Sequence, residues 1–390
     1  MAATPRSLAA RLLVPLAALA ACSRADANDA NGEAAAGAEN VPVVRNTAQG
    51  AWPAEKAWTL SEDLRIGGAE AEGAAAFGRV ADVEADPLGR IWVADGQANE
   101  IRVFDAAGLH VRTIGRRGAG PGEFTQITGM DWAPDGHLWV LDGGNARFTV
   151  LDTAGALVAS HPRPGGGPVP WRGGFDAQGR LHDPIMVPGP QGLAEGIVRY
   201  DAGMQPRDTL WIPPHKGTYF TGGQGQITVP YSGTRVFALT PAGDVWLGVT
   251  DRYRFDRVTF AGDTVGATEK PHTPVRVTEA EVENALAAYR DLEARGTKLD
   301  RRLVPAEKPP VNAVFSAPDG TLWVSPTRQR TGPALLDVFD GEGAFLGSVR
   351  LPALVANSPT PVIRGDALYG VVRDDYGVES VVRLRIARPR

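Results

Sequence analysis

Glu84 and Asp131 are the residues of this chain best placed, by type and by spacing, to do chemistry. Each stands five positions before a glycine (Gly89, Gly136) that introduces a recurring Gly-x-x-Trp phrase, and Asp82 lies two positions before Glu84. Carboxylates brought together from equivalent points of neighbouring repeats could share a cation, and oxygen ligands of this kind suit calcium or magnesium. The other repeats hold Gly174, Ala238, Phe315 and Pro361 at that point, so a full ring of acidic ligands is not expected. The six histidines (110, 137, 161, 182, 215 and 272) show no metal-ligand spacing, and the single cysteine excludes a disulfide framework and multi-thiolate zinc sites. No G-x-S-x-G, H-E-x-x-H or phosphate-loop motif occurs, and the glycine runs 118–122 and 165–167 lack the helix and lysine that phosphate binding requires. No catalytic residue is assigned on this basis. The one cofactor in view is the calcium or magnesium ion at Glu84 and Asp131.

A second group of candidates mixes arginine with aromatic and amide side chains: Arg116, Arg117, Gln126, Trp171, Arg172, Tyr219, Tyr231, Arg235, Arg252, Asn312, Arg328 and Arg330. Such a mix suits an anionic, sugar-like or peptide ligand. A solvated face without a ligand is the plainer alternative. The elements that position both groups come from an internal repeat. ADPLGRIWVAD (85–95) recurs as WAPDGHLWVLD (132–142) and SAPDGTLWVSP (316–326), with weaker copies at 175–184, 240–251 and 363–375. Aligning the turn residues Gly89, Gly136, Gly179, Gly243, Gly320 and Asp366 puts Trp92, Trp139, His182, Trp246, Trp323 and Tyr369 three positions on. These read as packing residues, with His182 a buried, satisfied histidine. Asp95 with Asn99, and Asp142 with Asn145, read as side chains that close their own loops.

Each copy consists of an apolar stretch, a Pro-Asp-Gly-type turn, a second apolar strand, then third and fourth strands separated by another glycine turn. Four strands in about 45 residues indicate a blade of a β-propeller. The expected fold is all-β: six four-stranded blades over residues 53–390. The sixth unit lacks a fourth strand, and AWTLSEDLRIGG (57–68) supplies a spare one, so the N-terminal strand is expected to close the ring. Loops joining strands two to three and four to one share a face, which is where a ligand is expected. Two long insertions interrupt the pattern. The first (211–233) reads as an ordered loop or hairpin. The second carries one helix over 278–296, begun by a Thr278/Glu281 capping box, either a lid or a decoration.

IGRRGAGPGEFTQITGMDWAPDGHLWVLDGGNARFTVLDTAG (114–155) resembles an NHL-type repeat, closely in the first two units and more weakly elsewhere. The resemblance implies a six-bladed propeller, an architecture shared by binding modules and by lactonases and lyases. The first is the favoured reading: a binding or scaffold module for a protein, peptide or glycan partner, with a cation-dependent, lactonase-like hydrolase or lyase as the alternative.

The start of the chain has Arg6, Arg11, no acid, and an apolar run too short to span a bilayer. It ends in Leu19-Ala20-Ala21-Cys22, which resembles the lipobox of bacterial lipoproteins. That implies removal of a signal peptide (1–21) and acylation of Cys22. Ser23, by the sorting rule of that class, points to the outer membrane. Residues 22–52, poor in large apolar side chains, read as the lipidated cysteine and a flexible tether. A net charge of −5 gives no reason to expect nucleic acid, and a monomer held at the membrane through Cys22 is expected.

Overall fold

The computed structural model describes residues 41–164, 170–189, 192–222, 225–329 and 331–389. Cys22, the signal peptide, the tether up to residue 40, the glycine run 165–167 and Arg330 lie outside the described residues. Within the described part, six antiparallel four-stranded sheets each run first-second-third-fourth in order. The first begins with Val80–Ala85, and the sixth with Val362–Arg364. First strands of successive sheets face one another around an axis, and buried apolar clusters fill the gaps between neighbouring sheets. The fold is a six-bladed β-propeller.

The repeat grammar explains the blades. Gly89, Gly136, Gly179, Gly243 and Gly320 all carry φ between 75° and 91°, which is why glycine recurs at the first hairpin. Asp86 and Asp176 close two of these turns by accepting backbone N–H groups two and four residues on. Trp92, Trp246 and Trp323 are fully buried between blades. His182 replaces tryptophan in blade 3: its Nδ1 meets the Arg180 carbonyl at 2.9 Å and its ring packs edge-on to Phe260. Burial pushes its pKa down to about 4, so the imidazole is neutral there. Blade 6 departs from the expected alignment. Its hairpin is one residue tighter, with Gly365 (φ 61°) rather than Asp366 in the left-handed position, so Val362, not Pro361, stands opposite Tyr369.

Ring closure follows the expected route. Thr59–Gly67 pairs antiparallel with Glu379–Ala387, from Thr59↔Ala387 to Gly67↔Ser380. A bulge at Asp63 turns its carboxylate to Arg383 and Arg385.

The segment before that strand differs from expectation. Residues 42–52, expected as tether, belong to the folded body. Val43–Arg45 adds a fifth, parallel strand to the outer edge of blade 4 (Val43↔Ala267). Asn46 then bridges to blade 5, accepting from Phe345 N at 2.7 Å and donating to the Gly343 carbonyl at 3.1 Å. Trp52 donates its backbone N–H to the Leu346 carbonyl at 2.8 Å, and its indole lies on Gly347, where a Cβ would stand 2.5 Å from the ring. Trp52 stacks on Trp58 (4.8 Å), which leans on the blade tryptophan Trp323 (6.0 Å). Backbone hydrogen bonding and two indoles make this polar stretch a strap over blades 4 and 5.

The two insertions pair with each other. Tyr219–Gly222 and Gly225–Thr228 form a hairpin, and Thr297–Lys298 from the second insertion completes its sheet. The expected helix is two helices. Glu279–Ala287 starts at the Thr278/Glu281 capping box, and Arg290–Ala294 follows a break at Tyr289. Tyr289 leaves helical geometry as its ring packs edge-on to Phe220 of the hairpin.

A chain beginning at residue 42 should therefore be more stable than one beginning at residue 53. Loss of the packing of the half-buried Trp52 alone should cost about 1–3 kcal/mol. Urea denaturation of the two chains measures this, and equal midpoints would show that the strap adds no stability.

Candidate functional site

A cavity of about 450 Å³ runs along the axis, lined by the first strands. Inward-facing N–H groups of these strands need acceptors, and acidic side chains provide them across the blade boundaries. Asp82 accepts from Met130 N of blade 2 at 2.7 Å, Asp131 from Phe175 N of blade 3 at 2.7 Å, and Glu379 of blade 6 from Val80 N of blade 1. Asp82 also accepts from Val83 N at 2.9 Å. Asp82 and Asp131 of this belt line the channel together with Glu84.

Glu84 and Asp131 do meet, as their spacing predicts, but the cation between them is part of the chain. Arg364, from the first strand of blade 6, donates through one Nη to Glu84 at 2.9 Å and to Asp131 at 2.8 Å. The expected calcium or magnesium position is thus occupied by a guanidinium, and no group of three or more potential metal-ligating side chains occurs among the described residues. One guanidinium does not neutralise three carboxylates. Burial pushes Asp82 from 3.8 up to about 7 and raises Glu84 well above the usual carboxylate range. Asp131 is raised too, by burial, with the Arg364 charge opposing. Burial disfavours the Arg364 charge, but the fields of Glu84 and Asp131 outweigh it and raise its pKa. The cluster therefore holds a proton near neutrality.

The arginine-aromatic candidates do not form one face-wide site. Arg172 lines the channel and has no hydrogen-bond or ionic partner among the described residues, and burial lowers its pKa. Trp171 is largely buried in the wall of the channel: its indole N–H donates to Asp183 at 3.0 Å, inside a network where Arg163 grips Asp183 through two 2.7 Å bonds. Arg116 pairs with Glu123, and Arg117 donates to the Gln97 carbonyl. Arg235 pairs with Glu195, and Asn312 donates to the Pro326 carbonyl. Gln126 and Arg252 are exposed. Tyr219 lies in the insertion hairpin, and Tyr231 sits at φ 62° with Lys308 5.9 Å over its ring. Arg328 lines a separate cleft. The residue that sequence reasoning missed is Arg364. Arg364 stands five residues before Tyr369, the tryptophan-equivalent position, and the tighter turn of blade 6 displaced it in the repeat alignment.

With this geometry in hand, similarity to known proteins concerns the fold. The family DUF5128, described as a 6-bladed beta-propeller, matches residues 74–155. A Bacteroides fragilis protein named as exported superposes with a TM-score of 0.51 at 12% identity, covering 88% of this chain and 99% of its own. A member of the duf4221 family from Bacteroides vulgatus covers 86% of this chain and 99% of its own at 9% identity, with a TM-score of 0.47. Regucalcin, a calcium-binding protein from Agrobacterium tumefaciens, gives 0.40 at 12% identity over 90% of this chain and 98% of its own. The first likeness is one of fold, and the lower scores add nothing to it. No curated protein matches the chain.

The raised carboxylates fix a pH dependence. Above pH 4 the unfolded chain releases the Asp82 proton that the folded chain keeps, so this contribution to stability is full below pH 4 and is lost as pH rises through 7. Asp82→Asn should flatten that slope. Arg364→Ala should cost about 3–5 kcal/mol at pH 8, where it leaves paired carboxylates uncompensated, and less at pH 5, since both carboxyls bind protons more readily than free ones. Urea titrations at both pH values test this; an equal loss at each would contradict the charge-clasp account.

Proposed function

We propose that the chain is a lipid-anchored binding module of the bacterial cell envelope, presenting its channel and loop face to a protein, peptide or glycan partner. The observation that carries this reading is the division of charge in the channel. Glu84, Asp131 and Asp82 are committed to Arg364 and to backbone N–H groups, while Arg172 faces the cavity without a partner among the described residues. A channel whose acids hold the blades together and whose spare group is a guanidinium is equipped to hold an anionic or hydrogen-bonding ligand. Envelope residence rests on the Leu19-Ala20-Ala21-Cys22 sequence and its short apolar leader, with Ser23 favouring the outer membrane. Several acyl chains on Cys22 would give stable anchoring where one would not.

A second reading, a hydrolase or lyase, has one observation in its favour. Asp82, with its pKa near 7, could donate a proton at neutral pH. In its cation-dependent form, that reading requires Arg364 to vacate the space between Glu84 and Asp131.

Membrane fractionation of the wild type and of Cys22→Ser tests the anchor: the variant should leave the membrane pellet and lose acyl labelling. Capture from solubilised envelopes, followed by titration of the purified partner, tests the channel. Arg172→Ala should weaken binding at least tenfold. Stoichiometric calcium or magnesium in purified protein, abolished by Glu84→Ala and by Asp131→Ala, would instead favour the second reading.

A further inference from the structure

Away from the axis, between blades 4 and 5, lies a second cleft of about 330 Å³. Its floor is Asp337, 1% exposed, which accepts from Tyr253 Oη, from Lys270 Nζ at 2.7 Å and from Ser348 Oγ at 2.5 Å. Both carboxylate oxygens are used. The Lys270 ammonium sits 4.2 Å over the Phe345 ring and 5.2 Å over that of Tyr253, with 13% of its side chain exposed. Asp337 takes one of its three N–H groups, and no other acceptor lies in reach among the described residues. Its uncovered part faces the cleft. Lys308 stands on another wall, held to Glu281 at 2.5 Å, and Arg328 lies at the rim with no ionic or hydrogen-bond partner among the described residues. The remaining lining mixes apolar groups such as Val275, Pro310 and Leu335 with the polar side chains of His272, Thr273, Thr327 and Gln329.

We propose that this cleft binds a small organic carboxylate, gripped by Lys270 from within and by Arg328 at the rim. The charge count selects the ligand. Among the Lys, Arg, Asp and Glu side chains, Lys270 pairs with Asp337 and Lys308 with Glu281, which leaves the charge of Arg328 uncompensated, with the His272 imidazole beside it in the lining. A single carboxylate balances that charge, whereas a phosphate dianion would overfill the site. The guanidinium fork suits a carboxylate's two oxygens, and the desolvated ammonium supplies further donors. At this volume the cleft lies at the small end of ligand pockets, so the carboxylate is carried on a body of one ring or a few residues. The cleft is separate from the axial channel, and its occupancy does not depend on what the channel holds.

Calorimetric titration of the folded protein with benzoate, glucuronate and N-acetylalanine tests the assignment, with benzamide and inorganic phosphate as comparisons. At least one carboxylate should bind one-to-one with a Kd below about 1 mM, and benzamide and phosphate at least tenfold more weakly. Arg328→Gln, at an exposed position, should weaken that carboxylate at least tenfold while leaving the unfolding midpoint unchanged. Lys270→Met should abolish binding. Should that variant fail to fold, Arg328→Gln decides alone. The channel variant Arg172→Ala should leave the affinity unchanged. Failure of all three carboxylates to bind, equal binding of benzamide or phosphate, or full affinity in Arg328→Gln would overturn the assignment.

Discussion

Six sheets arranged about one axis leave no open end only when the last is finished by a strand from the other end of the chain. The pairing of Thr59–Gly67 with Glu379–Ala387 is that closure. Within the closed ring, the inner strands present N–H groups that no partner strand can take. Asp82, Asp131 and Glu379 each reach across a blade boundary to one of them. Side chains that look like candidates for chemistry are thus first of all parts of the ring. The charge they bring into the channel is what Arg364 is there to offset.

Much of the fold could be read from the sequence because its information is local. A glycine with positive φ, an aspartate that folds back on its own turn, and an apolar strand ending in aspartate all act within a few residues. Repeated six times, they outline the blades, and counting strands supplies the closure. The strap could not be read this way. Residues 42–52 owe their order to backbone hydrogen bonds on the edges of blades 4 and 5 and to indoles resting on Gly347 and Trp323, contacts between 223 and 299 residues distant. Polar composition alone describes such a segment as unfolded.

The site was legible in half. Pairing Glu84 with Asp131 follows from their equivalent places in adjacent repeats, and the structure brings both to one guanidinium. That guanidinium comes from a blade whose turn is one residue short, so alignment on Asp366 hid it. Trp171 failed as a surface candidate for a related reason. A tryptophan in a long connection looks available, yet its N–H is spent on Asp183, a residue buried by the separate Arg163 pair. The Tyr253–Asp337–Lys270 network joins two ends of blade 4 to a strand of blade 5 and leaves no pattern in any one of these segments.

The closing strand also dictates the order in which the molecule can form. Asp63 and Arg383, joined in the last blade, are 320 residues apart in the chain. Bringing ends of such a loop together costs about 5 kcal/mol of chain entropy, estimated as (3/2)RT ln n. That cost can be met only once the intervening blades have collapsed into stacked order. During synthesis the strap emerges early and waits for blades 4 and 5, and Thr59–Gly67 finds no partner until the last residues follow. Blades 1 to 5 can assemble by local hairpins while both ends of the arc stay open. The final event is then a single long-range zipping, slow relative to hairpin formation, and until it occurs the terminal edges are exposed to pairing with other chains.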